Sequence, residues 1–521
     1  MSSGAGSKKD VILSFDIGTT KVKAALVDAK TLRTVDKVGE RSTVRYPQKG
    51  WAEQDPEELW NQIARLSSKL QKEKYNIRAI AFSAYLAGVV PVDLQGNPLM
   101  NMIIWIDERA AGLPKEIWNG PIKFAGYNLF RLLEFAKITG GAPGYSGKDP
   151  ISKITWIRDF EPEVFRGVWK FLSVTGYLVF KATGIATMSP DDASLTWLAD
   201  TRNGKASWHR GLLRRYKIPE ERLPPIRDSI EIAGTLSKKS AKELNVEREV
   251  PVVVGAGDLT AAAIGSGAVK EGEMHIYIGT SNWIGAHISK RTLDISTYIG
   301  SIMSAIPKRY LLVAEQEVAA GALEWFMRTL GLENKYDIVE EEVKDSPPGS
   351  RDLIFTPWMY GERAPIDDPN ARGILFNLDL SHKRKDILRA IMEGITFNIR
   401  WVYEPMERLT YHHDFVKVVG GGVLFNEWCR ILASIINRKI ARVMDPQDAT
   451  LRGVSIVALL GLGYYKSFEQ ASELIRVDKV FEPNKSWNKI YDEMFYSYKE
   501  LYKKLRKLFK DLNEKHSEPK G

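Results

Sequence analysis

Two turns built from similar small polar residues, about 260 positions apart, constrain the fold of this chain most. The first is Gly18-Thr19-Thr20 and the second is Gly279-Thr280-Ser281, and each lies between two apolar runs that predict the strands of a hairpin. The apolar runs are residues 11–15 and 22–27 in the first hairpin, and residues 274–278 and 283–288 in the second. The recurrence suggests a duplicated domain, although so short a match also arises by chance.

Helical and strand patterns alternate along the rest of the chain. Asp55, Pro56 and Glu58 are typical of a helix start, with a capping carboxylate, a proline in the first turn and an acidic residue three positions after the cap. The segment 499–510 has apolar residues at helical spacing among basic ones, which predicts a C-terminal helix packed on the body. The alternation as a whole predicts an α/β class with mostly parallel sheets.

Composition places the chain among ordinary globular proteins of several domains. Its 521 residues are 44% hydrophobic and 27% charged, which excludes a wholly disordered or collagen-like chain. One cysteine, Cys429, cannot form an internal disulfide or a cysteine-cluster zinc site. The sequence shows neither a signal-peptide pattern nor an apolar run of about 20 residues, so we expect a cytoplasmic protein with no membrane partner.

The net charge of +9 is compatible with anionic ligands, including nucleotides and nucleic acid. The charges are spread along the chain, however, which favours a solvated surface. No nucleic-acid-binding motif accompanies them. We therefore expect no nucleic acid partner.

The first turn carries groups suited to phosphate. At this strand end Gly18 lets a ligand approach the backbone N–H groups closely, Thr19 and Thr20 add two hydroxyls, and Lys21 adds an ammonium. Asp16 adds a carboxylate that can hold Mg²⁺ directly or through water. An ordinary polar hairpin would contain the same residues, and the second turn has the same ambiguity.

Two later segments extend this pattern. Gly420-Gly421-Gly422 lies between a predicted strand and a predicted helix, where a tight turn or a bound anion explains the glycines equally well. Asp258 follows a strand and precedes a helix of small residues, so its carboxylate could accept a hydroxyl proton or cap the helix. In combination, these features indicate a nucleotide held between two lobes with a base nearby.

The set of motifs resembles the FGGY carbohydrate kinases of the sugar-kinase/actin superfamily, over residues from about 11 to about 505. The most specific stretch is Gly361-Glu362-Arg363-Ala364-Pro365 followed by Ala371-Arg372-Gly373. Further matches are Gly50-Trp51-Ala52-Glu53-Gln54-Asp55-Pro56 and the spacing Trp105-x-Asp107-x-Arg109. The resemblance implies two actin-like, ribonuclease H-like α/β lobes around a central nucleotide and sugar cleft.

The resemblance also implies roles for individual residues in phosphoryl transfer from MgATP to a sugar hydroxyl. Asp258 would be the general base and Asp16 would organise Mg²⁺. ATP and its phosphates would contact Gly18, Thr19, Thr20, Lys21, Gly279, Thr280, Gly321, Gly421, Gly422 and Asn426. The sugar would contact Trp105, Asp107, Arg109 and Asp258. A homodimer is compatible with the resemblance, but no sequence feature specifies one.

Several positions depart from the family pattern and bear on the sugar. Xylulokinases typically have Gln-Met-His-Gly where this chain has Tyr85-Leu86-Ala87-Gly88. Glycerol kinases have an Arg-Glu pair in this region, where Ser83-Ala84-Tyr85 offers neither charge. Leu259 stands where a glutamine usually follows the base, and Ser434 where an aspartate is common. We expect a ketose such as xylulose first, then ribulose, gluconate, erythritol or a related acceptor, and glycerol last.

The expected domain boundaries follow the two hairpins. We predict a disordered N-terminus at 1–9, a first lobe for sugar and phosphate at 10–258, a second lobe for the nucleotide at 259–485, and a C-terminal helix and tail at 486–521. Two alternatives to an active kinase remain at this point: a catalytically silent sugar-binding pseudokinase, and an actin-like or chaperone-like ATPase. The second would not be expected to carry the Gly361–Gly373 loop.

Overall fold

The structure is a computed structural model that describes residues 8–246 and 250–513. It has two lobes, each built on a seven-stranded sheet. The expected disordered segment 1–9 lies mostly outside the described residues, and Lys9 already begins the first strand. Of the predicted C-terminal segment, residues 514–521 lie outside the described part.

The first lobe contains fifteen strands and nine α-helices among its described residues. The strands are β1 (Lys9–Ile17), β2 (Lys21–Asp28), β3 (Thr34–Arg41), β4 (Glu53–Gln54), β5 (Tyr75–Ala84), β6 (Val90–Val92), β7 (Met102–Ile103), β8 (Lys123–Phe124), β9 (Tyr127–Asn128), β10 (Lys170–Leu172), β11 (Ala199–Asp200), β12 (Ser207–Trp208), β13 (Ile232–Thr235), β14 (Pro251–Val253) and β15 (Ala256–Gly257). The helices are α1 (Pro56–Lys69), α2 (Lys115–Trp118), α3 (Leu129–Ile138), α4 (Pro150–Phe160), α5 (Pro162–Gly167), α6 (Val174–Thr183), α7 (Pro190–Leu195), α8 (Arg210–Arg215) and α9 (Lys238–Glu243).

Helix α10 (Asp258–Gly265) leads into the second lobe. The strands there are β16 (Met274–Ile278), β17 (Asn282–Ile288), β18 (Gly300–Met303), β19 (Tyr310–Gln316), β20 (Ile354–Thr356), β21 (Ile374–Phe376), β22 (Val416–Val419), β23 (Ile440–Val443) and β24 (Val477–Phe481). The helices are α11 (Ala320–Thr329), α12 (Tyr336–Asp345), α13 (Arg384–Leu409), α14 (Asn426–Ile435), α15 (Ala449–Gly461), α16 (Phe468–Ser472) and α17 (Asn488–Asn513). Short 3-10 helices lie at Lys72–Lys74, Glu220–Arg222, Ser350–Asp352, Gly422–Leu424, Pro446–Asp448 and Lys485–Trp487.

The two sheets have related topologies. The first has the order β13-β14-β5-β1-β2-β3, with β15 also on β5, and the second has the order β18-β19-β17-β16-β22-β23-β24. In each sheet an antiparallel hairpin, β1–β2 or β16–β17, continues into a parallel neighbour, β5 or β22. The two predicted hairpins are therefore both present and occupy corresponding places.

The expectation of mostly parallel sheets is wrong. The pairs β2–β3, β13–β14, β17–β19, β18–β19 and β23–β24 are antiparallel, so both sheets are mixed. Short connections allow antiparallel neighbours, whereas parallel neighbours need a crossover such as a helix. Alternation of helix and strand patterns along the sequence does not reveal how many such short connections intervene.

Helices α10 and α15 join the lobes. They cross so closely that a Cβ atom on Gly265 would overlap the carbonyl oxygen of Ala449, and one on Gly453 would overlap that of Ala261. Beyond the crossing, Ser455 of α15 shares a hydrogen bond of 2.6 Å with Ser14 of β1. This contact packs α15 against β1 of the first sheet.

Two helices show how local sequence determines the elements. At α1, the Asp55 carboxylate accepts from the backbone N–H groups of Glu57 and Glu58, and Pro56 occupies the first turn, as predicted. Helix α17 packs on the second lobe as expected, but mainly through residues before the predicted stripe, whereas Leu508 is exposed.

Within residues 8–246 and 250–513, no helix combines the length and apolar character needed to cross a bilayer.

Candidate active site

The first hairpin presents a carboxylate and an ammonium side by side. Asp16 on β1 lies directly across from Lys23 on β2, because the hairpin register pairs them. The Lys23 Nζ donates to Asp16 Oδ2 at 3.1 Å and to the carbonyl oxygen of Gln447, in the second lobe, at 3.2 Å. The charged pair therefore lies where the two lobes meet.

Lys23 was missed by the sequence analysis, which selected Lys21. Both side chains share one face of β2, because residues two apart in a strand point the same way. Lys21 is exposed and its alkyl chain runs beside Gly39 of β3, whereas Lys23 is largely enclosed. Burial disfavours the charged ammonium of Lys23, but Asp16, with smaller contributions from Tyr277 and Asp448, outweighs that penalty and raises the pKa of Lys23 above its usual value. Lys23 is therefore a fixed cation in the cleft.

The second hairpin has the same backbone design with different side chains. Tyr277 and Trp283 face each other across β16 and β17, with ring centroids 3.8 Å apart and planes within 4°. At the turn, the Thr280 carbonyl oxygen accepts from the N–H groups of Ala319 at 2.8 Å and Gly321 at 3.2 Å. The turn thus holds the start of α11, where Gly321 lies.

The glycine run follows β22, the parallel neighbour of β16. Gly420 has φ of +99°, and a side chain on it would overlap the carbonyl of Ile278, the residue just before the turn of the second hairpin. Gly421 and the turn beginning at Gly422 lead directly into α14, whose first residue is Asn426. The structure therefore brings Gly279, Thr280, Gly321, Gly421, Gly422 and Asn426 to one end of the second sheet.

Asp258 occupies the first turn of α10, at the carboxyl end of β15. Gly257 is the N-cap, so Asp258 does not cap the helix, and its Oδ1 accepts only a local bond from the Leu259 N–H at 2.9 Å. Burial raises the pKa of the Asp258 carboxyl well above its usual range, and the carboxylates of Asp16 and Glu315 raise it further. One of these neighbours is on the first hairpin and the other is on β19, so Asp258 faces both lobes.

Trp105 lies against the first turn. Its Nε1–H donates to the Thr19 hydroxyl at 2.7 Å, which joins the predicted sugar wall to the predicted phosphate loop. The guanidinium of Arg363, from the second lobe, lies 4.9 Å above the indole ring. Arg363 is itself paired with Glu315 and with Glu317, the latter at 2.7 Å. In the sequence Arg363 is recognisable only as part of the family motif, and its contact with Trp105 joins the two lobes.

Asp107 and Arg109 do not have the exposure that direct contact with a sugar requires, so this part of the prediction is corrected. The Asp107 carboxylate is fully buried and accepts from the Ala52 N–H at 2.5 Å and from the Arg109 guanidinium at 2.8 Å. Arg109 also pairs with Glu53 at 2.7 Å and stacks 3.8 Å above the Trp51 ring. The two residues hold the segment around 50–55 in place beside Trp105.

The position that departs from the xylulokinase pattern has an unusual backbone. Ala87 has φ of +61°, and its carbonyl oxygen accepts from the buried Lys153 Nζ at 2.6 Å. The preceding Leu86 packs with Leu259, the other nearby departure, in one apolar cluster. The wall next to Asp258 is therefore apolar at these two positions.

Comparison with known proteins identifies the family. The model of the FGGY carbohydrate kinase N-terminal domain matches residues 11–265, and that of the C-terminal domain matches residues 274–462. The chain belongs to the FGGY family of carbohydrate kinases. This result confirms the predicted family, the two-lobed actin-like fold class and the reaction class, a phosphotransferase with an alcohol group as acceptor.

Individual relatives span nearly the whole FGGY chain. A xylulose kinase of Staphylococcus epidermidis is 28% identical and covers 97% of this chain and 99% of its own. A gluconokinase of Bacillus subtilis is 26% identical over 89% of this chain and 90% of its own. The structure of a ligand-bound xylulose kinase from Lactobacillus acidophilus superposes with a TM-score of 0.84, at 25% identity, covering 98% of this chain and all of that one.

Proposed function

We propose that this kinase transfers the γ-phosphate of MgATP to a hydroxyl of a ketose such as xylulose, with Asp258 as general base. One observation carries the assignment of the base. Asp258 is partly exposed at the end of β15, and both Asp16 of the first lobe and Glu315 of the second act on its carboxyl. Burial and these two neighbours raise the pKa of that carboxyl. A carboxylate with a raised pKa is a stronger base, which suits the removal of a proton from a sugar hydroxyl.

The reaction then proceeds within the cleft. The acceptor hydroxyl gives its proton to Asp258 as its oxygen forms a bond to the γ-phosphorus. The bond from that phosphorus to the β–γ bridging oxygen breaks, and ADP leaves with the electron pair. Lys23, which is held beside Asp16, would offset the charge on the transferred phosphoryl oxygens together with Thr19 and backbone N–H groups of the first turn.

Asp16 fits the expected role in holding Mg²⁺. It provides one hard carboxylate ligand whose Oδ2 is anchored by Lys23. Within residues 8–246 and 250–513, no group of three or more histidine, cysteine or acidic residues forms a cage for a metal. Mg²⁺ is usually held by one or two carboxylates together with water and substrate phosphates, so this donor set suits it. When bound, the ion would neutralise charge on the ATP phosphates.

The nucleotide is assigned to the end of the second sheet. Thr280 and the turn of the second hairpin would contact the phosphates, and Gly321 would lie near the nucleotide. Gly421, Gly422 and Asn426 would contact the nucleoside and α-phosphate. Glycines let a ligand approach the backbone closely, and the start of α14 directs N–H groups outward.

The choice of sugar rests on the relatives and on the pocket wall. Xylulose kinases of 28% identity span the chain, and Trp105 offers an aromatic face to the C–H groups of a ketose. Ala87 replaces the histidine typical of xylulokinases, so gluconate, ribulose and erythritol are alternative acceptors, and glycerol is the least favoured. A cytoplasmic location and a homodimer are further parts of the proposal, and analytical ultracentrifugation tests the latter.

The test is ADP release from MgATP with a panel of acceptors: D-xylulose, D-ribulose, L-ribulose, L-xylulose, D-gluconate, glycerol, erythritol and several hexoses. We expect one ketose to give turnover far above the acceptor-free rate. The Asp258→Asn enzyme serves as the matched control and should bind ATP without turnover. If ATP binds and no acceptor reacts, the pseudokinase alternative gains support. If ATP does not bind, the nucleotide assignment is wrong.

A further inference from the structure

A buried carboxylate outside the proposed catalytic set contacts the backbone around the base. Asp191, on α7 of the first lobe, has no exposed surface. Its Oδ2 accepts from the Gly257 N–H at 2.8 Å and from the Thr260 hydroxyl. These two donors lie on either side of Asp258 in the sequence. Asp191 therefore spans the turn that carries the base.

The start of α10 lacks a capping side chain of its own. The first N–H groups of a helix have no partner within the helix, and a Ser, Thr, Asp or Asn side chain at the N-cap usually supplies one. Here the N-cap is Gly257, and any side chain on it would overlap that of Leu86. Asp191 instead accepts from the N–H of the cap residue itself, and so fixes the residue from which the helix starts.

The other oxygen of Asp191 is also fixed. Oδ1 accepts from the Asp192 N–H at 3.0 Å and from the Ser189 hydroxyl. Each carboxylate oxygen thus faces one backbone N–H, which can only donate. An asparagine at this position must turn its NH₂ group toward one of those two donors, so even this isosteric change breaks a buried hydrogen bond.

We propose that Asp191 is a positioning residue, which holds the first turn of α10 so that the Asp258 carboxylate stays aimed at the acceptor hydroxyl. The inference rests on the proposed function, because it assumes that Asp258 is the base. Misplacement of a reacting group by about 1 Å can lower a rate about 100-fold, so loss of this clamp should affect turnover more than nucleotide binding.

Asp192 provides a matched control one residue away. Its Oδ2 accepts from the hydroxyls of Ser173 at 2.7 Å and Ser189 at 3.3 Å. Hydroxyls rotate and can accept as well as donate, so an asparagine here can keep its partners. Asp191→Asn therefore must break a hydrogen bond to a backbone N–H, that of Gly257 or that of Asp192, whereas Asp192→Asn on the same helix can keep both hydroxyl partners.

The experiment compares kcat, the KM for MgATP and the thermal midpoint of both variants with those of the unmodified enzyme. We expect Asp191→Asn to lower kcat about 100-fold with the KM for MgATP changed less than about threefold. Asp192→Asn should stay within about threefold in both. Hydrogen exchange of the peptide containing residues 257–260 should be faster in Asp191→Asn than in Asp192→Asn.

If Asp191→Asn does not fold, Thr260→Val and Thr260→Ser replace it, because serine keeps the hydroxyl that donates to Asp191 and valine does not. We then expect the valine variant to lose turnover and the serine variant to retain it. Normal turnover in Asp191→Asn or in Thr260→Val overturns the proposal, as does an equal loss in the two Asp→Asn variants. Normal turnover in Asp258→Asn would instead show that the proposed base is wrong.

Discussion

The two hairpins share a backbone design and differ in the side chains at matching positions. Two residues before the turn glycine, the first hairpin has Asp16 and the second has Tyr277. Asp16 is paired across the strands with Lys23, and Tyr277 with Trp283. An ion pair in one lobe thus corresponds to a stacked aromatic pair in the other.

The two pairs also lie close to each other across the cleft. Burial raises the pKa of Tyr277 to about 12, and the charges of Lys23 and Asp16 act on it in opposite directions. The comparison teaches that duplication of the hairpin does not duplicate its chemistry. In the proposed function, the first lobe supplies the charges for the metal and phosphates, whereas the second supplies hydroxyls, backbone N–H groups and an apolar wall.

The largest expected effect on this comparison comes from Lys23, the largely enclosed lysine of the first hairpin. Lys23→Met keeps the length of the side chain but removes the cation that pairs with Asp16. Removing one such electrostatic group typically lowers kcat about 100- to 1,000-fold, and we expect a loss in that range. Steady-state kinetics with the best acceptor measures it. Lys21→Met, on the exposed position, should change kcat less than about threefold, and a larger effect at Lys21 than at Lys23 would refute the assignment.

A smaller effect is expected at the second turn. Thr280→Val removes a hydroxyl that we assign to a phosphate, and hydrogen bonds to charged groups contribute about 1.5–3 kcal/mol. The KM for MgATP should therefore rise about 10- to 100-fold, while the KM for the sugar stays nearly constant. Thr280→Ser is the control and should behave like the unmodified enzyme. An increase in the sugar KM alone would place Thr280 at the other substrate.

The aromatic pair should matter for stability more than for chemistry. Trp283→Leu removes a stacked ring next to Tyr277, and such pairs contribute about 0.5–1.5 kcal/mol beyond their burial. We expect a lower thermal midpoint with kcat changed less than about threefold. Trp283→Phe keeps a ring and removes the Trp283 Nε1, which is buried without a partner, so it should be less damaging. A selective loss of kcat in either variant would contradict a purely structural wall.

Two histidines occur in the second hairpin and none in the first. Substituting them should change stability least at neutral pH and more in acid. Burial lowers the pKa of His287 on β17 to about 4 and that of His275 on β16 to about 3. Both are neutral in the folded chain, whereas the unfolded chain protonates them below about pH 6.5. The free energy of unfolding therefore keeps the full contribution of this pair above that pH and loses it as the pH falls toward 4. The thermal midpoint should fall between pH 7 and 5, and less so in His287→Gln.

The sequence predicted most of what local patterns determine. The two hairpins, the α1 cap and Asp258 at a strand end all follow from spacing and turn chemistry. The residues it missed or misplaced depend on pairing across the fold. Lys23 is recognised only when the hairpin register sets it opposite Asp16, and Asp107 becomes a buried partner of Arg109 only in the folded lobe.

The parts contributed by long-range contacts could not be predicted. Asp191 lies 66 residues before Gly257, whose N–H it accepts, and no local motif links the two. Arg363 lies over Trp105 although 258 residues separate them in the sequence, and only the meeting of the two lobes brings them together. Strand direction in the sheets also depends on which strands become neighbours, and the expectation of mostly parallel sheets failed for this reason.

The most direct test of the central claim is turnover by Asp258→Asn with MgATP and the best acceptor of the panel. The account predicts that kcat falls about 100- to 10,000-fold, the range typical of a lost general base, while the Kd for MgATP stays within about threefold. Isothermal titration calorimetry and ADP release on the same preparation measure both quantities. Retention of kcat would show that another group accepts the proton and would contradict the account.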